Sequence, residues 1–203
     1  MKAVLGKLLL RLVGWKAVSN GPPPHGCVVV CAPHTSNFDY VLMLLVSWVF
    51  GFKMSFLGKQ SLFKPPLGWL MKATGGVPVD RSAPNGMVGQ MVDEFARNPD
   101  MYLAIPAEGT RSRSEFWKSG FYRIAEQANV PIALAFVDAK TKTSGFGPVI
   151  TPSGNVSADM DVAREFYATK VGLKHEQSGP IRLKEELAPT HEAADEQPDG
   201  ETA

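Results

Sequence analysis

Apolar positions along the chain fall into short β-branched runs that alternate with longer stretches at helical spacing. Cys27-Val28-Val29-Val30-Cys31 has the length and composition of a buried strand, and the apolar segment that follows predicts a helix over Tyr40–Phe50. Lys53–Leu57 predicts a second strand. Phe63 to Met71 is apolar but broken by Pro65-Pro66, so a helix there begins at the prolines, and its Leu and aromatic side chains suit core packing, an acyl-chain groove or a membrane surface. Gly75 to Ser82 reads as a strand ending in a charged turn. Ser82 or Asn85 then caps a helix with Met87, Val88, Met91, Val92 and Phe95 on one face, ended by Asn98-Pro99. Met101–Ile105 and Val130–Val137 are further strands, with another at Gly147–Thr151. Ser157 caps a final helix carrying Asp159 and Asp161 in its first turn, where the helix dipole favours them.

The first 18 residues place Val4, Leu5, Leu8, Leu12 and Trp15 on one helical face, flanked by Lys2, Lys7, Arg11 and Lys16. No small-residue cleavage site follows, and the apolar stretch is too short to span a bilayer. The pattern predicts an interfacial helix whose basic side chains reach anionic headgroups, the alternative being a helix that packs on the domain. Gly21-Pro22-Pro23-Pro24 is a stiff connection into the first strand. The expected organisation is a membrane-associating helix over residues 1–20, one domain over 21–183, and a disordered acidic tail over 184–203. No internal repeat is visible.

The stretch Pro33-His34-Thr35-Ser36-Asn37-Phe38-Asp39 lies between the first strand and its helix, a junction where active-site residues of α/β folds gather. Ser36 or Asn37 can cap the helix, which puts Asp39 in the first turn with its carboxylate folding back toward the His34 imidazole. A carboxylate on one ring nitrogen fixes the tautomer and makes the other a better base, able to take a proton from an alcohol. By itself the same pattern fits an ordinary capped junction with a surface histidine. A second candidate is the polar loop Pro106 to Arg113, where a central Gly and two Arg can converge on one phosphate.

Charge sharpens the picture. The net charge of +1 hides 20 basic and 13 acidic residues in positions 1–183 and seven acidic residues with one Lys in 184–203. A basic body suits anionic lipid, phosphate esters or nucleic acid, but no basic cluster interleaved with aromatics supports nucleic acid. Cys27 and Cys31 sit four apart on one strand face, too far for a disulfide, and are expected reduced and buried. Nothing has the spacing of zinc ligands, so neither a metal nor a cofactor is expected. His25, His175 and His191 are expected on the surface.

With these segments placed, the chain resembles the phospholipid-synthesis acyltransferases typified by bacterial 1-acyl-sn-glycerol-3-phosphate acyltransferase. That family's His-x4-Asp motif is matched by His34 and Asp39 with Ser36 between them, its second block by Gly76-Val77-Pro78-Val79-Asp80-Arg81, its third by Glu108-Gly109-Thr110-Arg111-Ser112, and its fourth by Val130-Pro131-Ile132. Order and separations agree across about residues 26–137. Pro33 stands where many members have Asn, Pro106-Ala107 replaces Phe-Pro, and Leu134-Ala135 lacks the second Pro of the fourth block.

The resemblance implies a single α/β domain of the glycerol-3-phosphate acyltransferase type: a central, largely parallel or mixed sheet flanked by helices, with an N-terminal interfacial helix. It implies acyl transfer from a fatty acyl thioester, acyl-CoA or acyl carrier protein, to the hydroxyl of a phosphate-bearing lipid acceptor such as 1-acylglycerol-3-phosphate, at the cytoplasmic face of a membrane. His34 would be the general base oriented by Asp39. Arg81, Gly109, Thr110 and Arg111 would hold the acceptor phosphate, while Glu108 would orient an Arg or accept from an acceptor hydroxyl. Two alternatives stand beside it: a lipid-binding or scaffolding homologue without turnover, and an acyltransferase for an acceptor other than a glycerophosphate. Cys31 is the candidate nucleophile of a rival acyl-enzyme route.

Overall fold

The computed structural model describes residues 1–19, 22–66, 68–80 and 86–187. Seven strands form one mixed sheet: β1 (Lys16–Ser19), β2 (Cys27–Ala32), β3 (Met54–Lys59), β4 (Gly76–Val79), β5 (Tyr102–Pro106), β6 (Ile132–Asp138) and β7 (Thr143–Ile150). Their order is β1-β7-β6-β2-β5-β3-β4, and every neighbouring pair is parallel except β6 and β7. A parallel sheet needs crossovers on its faces, so its central strands are covered on both sides and read as unbroken apolar runs. β2 lies at the middle, with Val28 and Val30 facing one core and Cys27 and Val29 the other.

Three helices, α4 (Gly86–Arg97), α5 (Gly120–Ala128) and α6 (Val156–Tyr167), supply Met91, Phe95, Phe121, Ile124, Met160 and Tyr167 to the first core. The second core is closed by α1 (Lys2–Leu12) and α2 (Phe38–Phe50) through Leu10, Leu42, Leu45 and Val46. A short α3 (Gly68–Ala73) follows the two prolines. Among the described residues, no helix is long and apolar enough to cross a membrane.

The first 18 residues are not one helix. α1 stops at Leu12, Gly14 turns through a left-handed φ of 76°, and the chain continues as edge strand β1 beside β7. The turn carries Trp15 off the helical face and into the second core, edge-on to Phe38. α1 packs on α2 through Gly6, where any Cβ would press on the Leu45 carbonyl, and through fully buried Leu10, whose burial contributes about 1.5–3 kcal/mol.

Two caps differ from expectation. Asn37 makes no side-chain cap at α2, Ser36 Oγ accepts from Phe38 N, and the Asp39 carboxylate folds back onto the Thr35 and Ser36 amides of the preceding loop. At α6 the cap is Asn155, accepting from Ala158 N at 3.1 Å, and Asp159 turns inward to Tyr122 and Ser153. The Ser82 or Asn85 cap expected for α4 lies outside the described residues. Lys184–Leu187, the last of the described residues, form a helical turn whose Glu185 and Glu186 pair with Arg123 and Arg164.

Candidate active site

β2 ends at Ala32, with Cys31 opposite Pro106, the last residue of β5, and Ala32 opposite Phe136 near the end of β6, so the loop after it emerges at the carboxyl edge of the sheet. His34 lies on this loop with its side chain 23% exposed, and Nδ1 stands 3.2 Å from Asp39 Oδ2. The same oxygen accepts from Thr35 N and Ser36 N, each at 2.8 Å. A carboxylate in the first turn of α2 is favoured by the helix dipole, and three donors converge on its Oδ2. Because a carboxylate can only accept, Nδ1 carries the hydrogen, and Nε2 is left as the basic nitrogen.

Glu108 approaches from the turn after β5 and meets the histidine at its main chain. It is buried, and its Oε1 accepts from His34 N at 3.1 Å. Burial pushes its carboxyl above the ordinary value of 4.5, Asp39 adds to the shift, and its own amide, that of His34 and the His34 charge oppose it. Among the described residues, buried Asp39 Oδ1 and Glu108 Oε2 meet no hydrogen-bond partner. His34 is therefore gripped by its ring through Asp39 and by its main chain through Glu108.

A cavity of about 650 Å³ opens at His34 and Asp39. Its walls are mainly apolar: Tyr40 and Met43 from α2, Met54 from β3, Ala104 from β5, Ala135 from β6 and Phe146 from β7. The small side chains of Ala104 and Ala135 in the sheet leave the space that α2 roofs over. The size is that of a site burying a drug-sized or acyl ligand. None of the described residues from Phe63 to Met71 lines it, and Trp69 is 73% exposed.

The third block divides. Gly109, with φ +67°, borders the cavity beside Lys118, and a Cβ there would press into the Lys118 side chain. Thr110 Oγ1 accepts from Ser112 N at 3.3 Å and so shapes the turn, while Thr110 and Arg111 are exposed and lie outside the cavity wall. Arg81 lies outside the described residues. Lys118 is a cation that sequence reasoning missed; the signal was its place between the Gly-centred loop and α5. Cys31 also lines the cavity, but burial, then Glu108 and Asp39, push its thiol up to about 12, so it stays protonated at neutral pH.

A family model described as Acyltransferase matches residues 17–135, more than half of the chain. Among solved structures, the chain is similar to the 1-acyl-sn-glycerophosphate (LPA) acyltransferase PlsC from Thermotoga maritima, at 17% identity and a TM-score of 0.58, covering 82% of this chain and 77% of that one. At that identity the likeness speaks for the fold. No curated protein matches significantly.

Proposed function

The chain belongs to the acyltransferase family, and from that premise we propose that it moves a fatty acyl group from acyl-CoA or acyl carrier protein to the hydroxyl of a lysophospholipid-type acceptor, 1-acylglycerol-3-phosphate or a relative. The observation that carries this reading is the His34–Asp39 pair, 3.2 Å apart, at the mouth of an apolar cavity. Nε2 of His34 takes the proton of the acceptor hydroxyl, and the oxygen attacks the thioester carbonyl. The tetrahedral oxyanion collapses, the carbon–sulfur bond breaks, and Nε2 gives its proton to the departing sulfur, which leaves as a thiol and returns the imidazole to its neutral form. Asp39 keeps the ring in the tautomer this requires and offsets the imidazolium charge. The acyl chain lies in the cavity, under α2.

Lys118 at the cavity wall joins Arg111 and Arg81 as cations for the phosphate of the acceptor. Direct transfer is favoured over an acyl-enzyme because the Cys31 thiol is held protonated. A peripheral membrane site is supported by α1: Val4, Leu8 and Leu12 are 72%, 53% and 73% exposed, beside Lys7 and Arg11, while Gly6 and Leu10 face the domain.

The test is transfer of a radiolabelled acyl group from acyl-CoA, and from acyl carrier protein, to a panel of lysophospholipids and alcohols. A labelled phosphatidic acid from 1-acylglycerol-3-phosphate is the expected product. No transfer to any acceptor, by protein that is folded and lipid-bound, would overturn the reading.

A further inference from the structure

The chain after β7 and α6 returns across the candidate site. Val171 O accepts from Ala139 N at 2.8 Å, and Gly172 lies so close to Thr35 that a Cβ would stand 2.9 Å from its side chain. Lys174 N donates to Thr35 Oγ1 at 3.0 Å. The segment then turns through His175–Gln177 and fastens to the third-block loop, where Arg113 donates to Ser178 O and Trp117 N to Arg182 O. Leu183 anchors its far end in the core.

Between these fastenings the carboxamide of Gln177 faces two backbone carbonyls, Arg111 O at 2.6 Å and Thr35 O at 3.0 Å. Carbonyls only accept, so the group turned to them is the amide nitrogen with its two hydrogens. We infer that Gln177 is a positioning residue that ties the His34 loop to the Arg111 loop. Every polar group of Thr35 is thereby held from another part of the chain: its N–H by Asp39, its hydroxyl by Lys174 N and its C=O by Gln177. The peptide unit that Gln177 holds at Thr35 C=O is the one whose N–H, on Ser36, donates to Asp39 Oδ2. Bonds at the two ends of one peptide polarise each other, so releasing the C=O end loosens the carboxylate that orients the His34 ring.

This inference takes its functional readout from the acyl-transfer reading above. Gln177→Glu keeps the shape and replaces two donors with oxygens that repel both carbonyls; Gln177→Ala removes the group. Three measurements are made on both variants: kcat and KM for acyl transfer, thermal midpoint, and amide hydrogen exchange. The expected result for Gln177→Glu is a kcat lower by about ten- to a hundredfold, as for a small misplacement of a reacting group, with KM for the thioester within about twofold. Exchange should rise in residues 34–39 and 109–113 and stay unchanged in α4. Wild-type kcat together with wild-type exchange would overturn the tie, as would exchange rising evenly through the sheet. Should the wild-type chain transfer no acyl group, the function reading fails, and the exchange of the two loops still decides for or against the tie.

Discussion

The side chain of Glu108 accepts, through Oε1, from the backbone nitrogen of His34 at 3.1 Å. The third block thus reaches the first through the main chain of the proposed base. Glu108→Ala should leave a half-buried amide unpaired, a cost of about 1 kcal/mol, and lower kcat with it. Glu108→Gln can still accept from His34 N and should retain most activity. Kinetics and chemical denaturation of the two variants check the difference.

The same carboxyl makes a pH prediction. Its folded pKa is raised above 4.5, mainly by burial, so the unfolded chain gives up the proton first as pH rises, and ionisation costs stability. The cost is absent below pH 4.5, sets in above it, and is complete above the raised folded value. Glu108→Gln should therefore gain in thermal midpoint relative to the unaltered chain at neutral pH, and the gain should vanish as pH falls through the carboxylate range. A difference that is the same at pH 4 and pH 7 would contradict it.

His34→Ala should lower acyl transfer by about 10²- to 10⁴-fold with the fold intact. Asp39→Asn can still accept from Thr35 and Ser36 N but carries no charge to balance an imidazolium, so it should lose kcat while keeping its far-ultraviolet circular dichroism. Full activity in either variant removes the general-base step.

Cys31 should resist thiol reagents at pH 7–8, because its thiol titrates only at about 12. Cys31→Ala should cost less than about tenfold in kcat, far less than loss of a nucleophile would. Alkylation kinetics and acyl transfer by the variant measure the two sides.

Ala104, buried in β5 at the cavity wall, sets the width under α2. Ala104→Leu should shift preference toward shorter acyl chains, with a stability change within about 1–3 kcal/mol. A series of acyl-CoA donors of increasing length reads the shift; an unchanged series would place the chain elsewhere.

Removing the whole N-terminal segment is a poor test of membrane contact, since Leu10, Trp15 and β1 belong to the core and sheet. Leu8→Glu with Leu12→Glu alters only the exposed face of α1. Flotation with anionic vesicles should fall sharply in this variant, while the thermal midpoint stays unchanged.

What could be read from the sequence follows from how local each feature is. Central strands β2, β5 and β6 announce themselves because burial on both faces demands unbroken apolar runs. The approach of Asp39 to His34 is made within one loop and one helical turn, so spacing alone suggested it. β1 was hidden because Trp15 continues the helical stripe, and only Gly14 marks the break. α5 was missed because its apolar residues sit behind a long polar loop, and β7 began earlier than expected because Gly145 and Gly147 disguise a strand. There Gly145 lets β1 come close, a Cβ having no room beside Val18 O. Gln177 meets Thr35 only through tertiary folding, which no local pattern records.

One oxygen of Asp39, from the first turn of α2, both fastens the loop that leads into the helix and serves as the rest for an imidazole. The four residues between His34 and Asp39 are therefore a ruler: a single inserted residue would turn the carboxylate about 100° around the helix axis and separate the two duties.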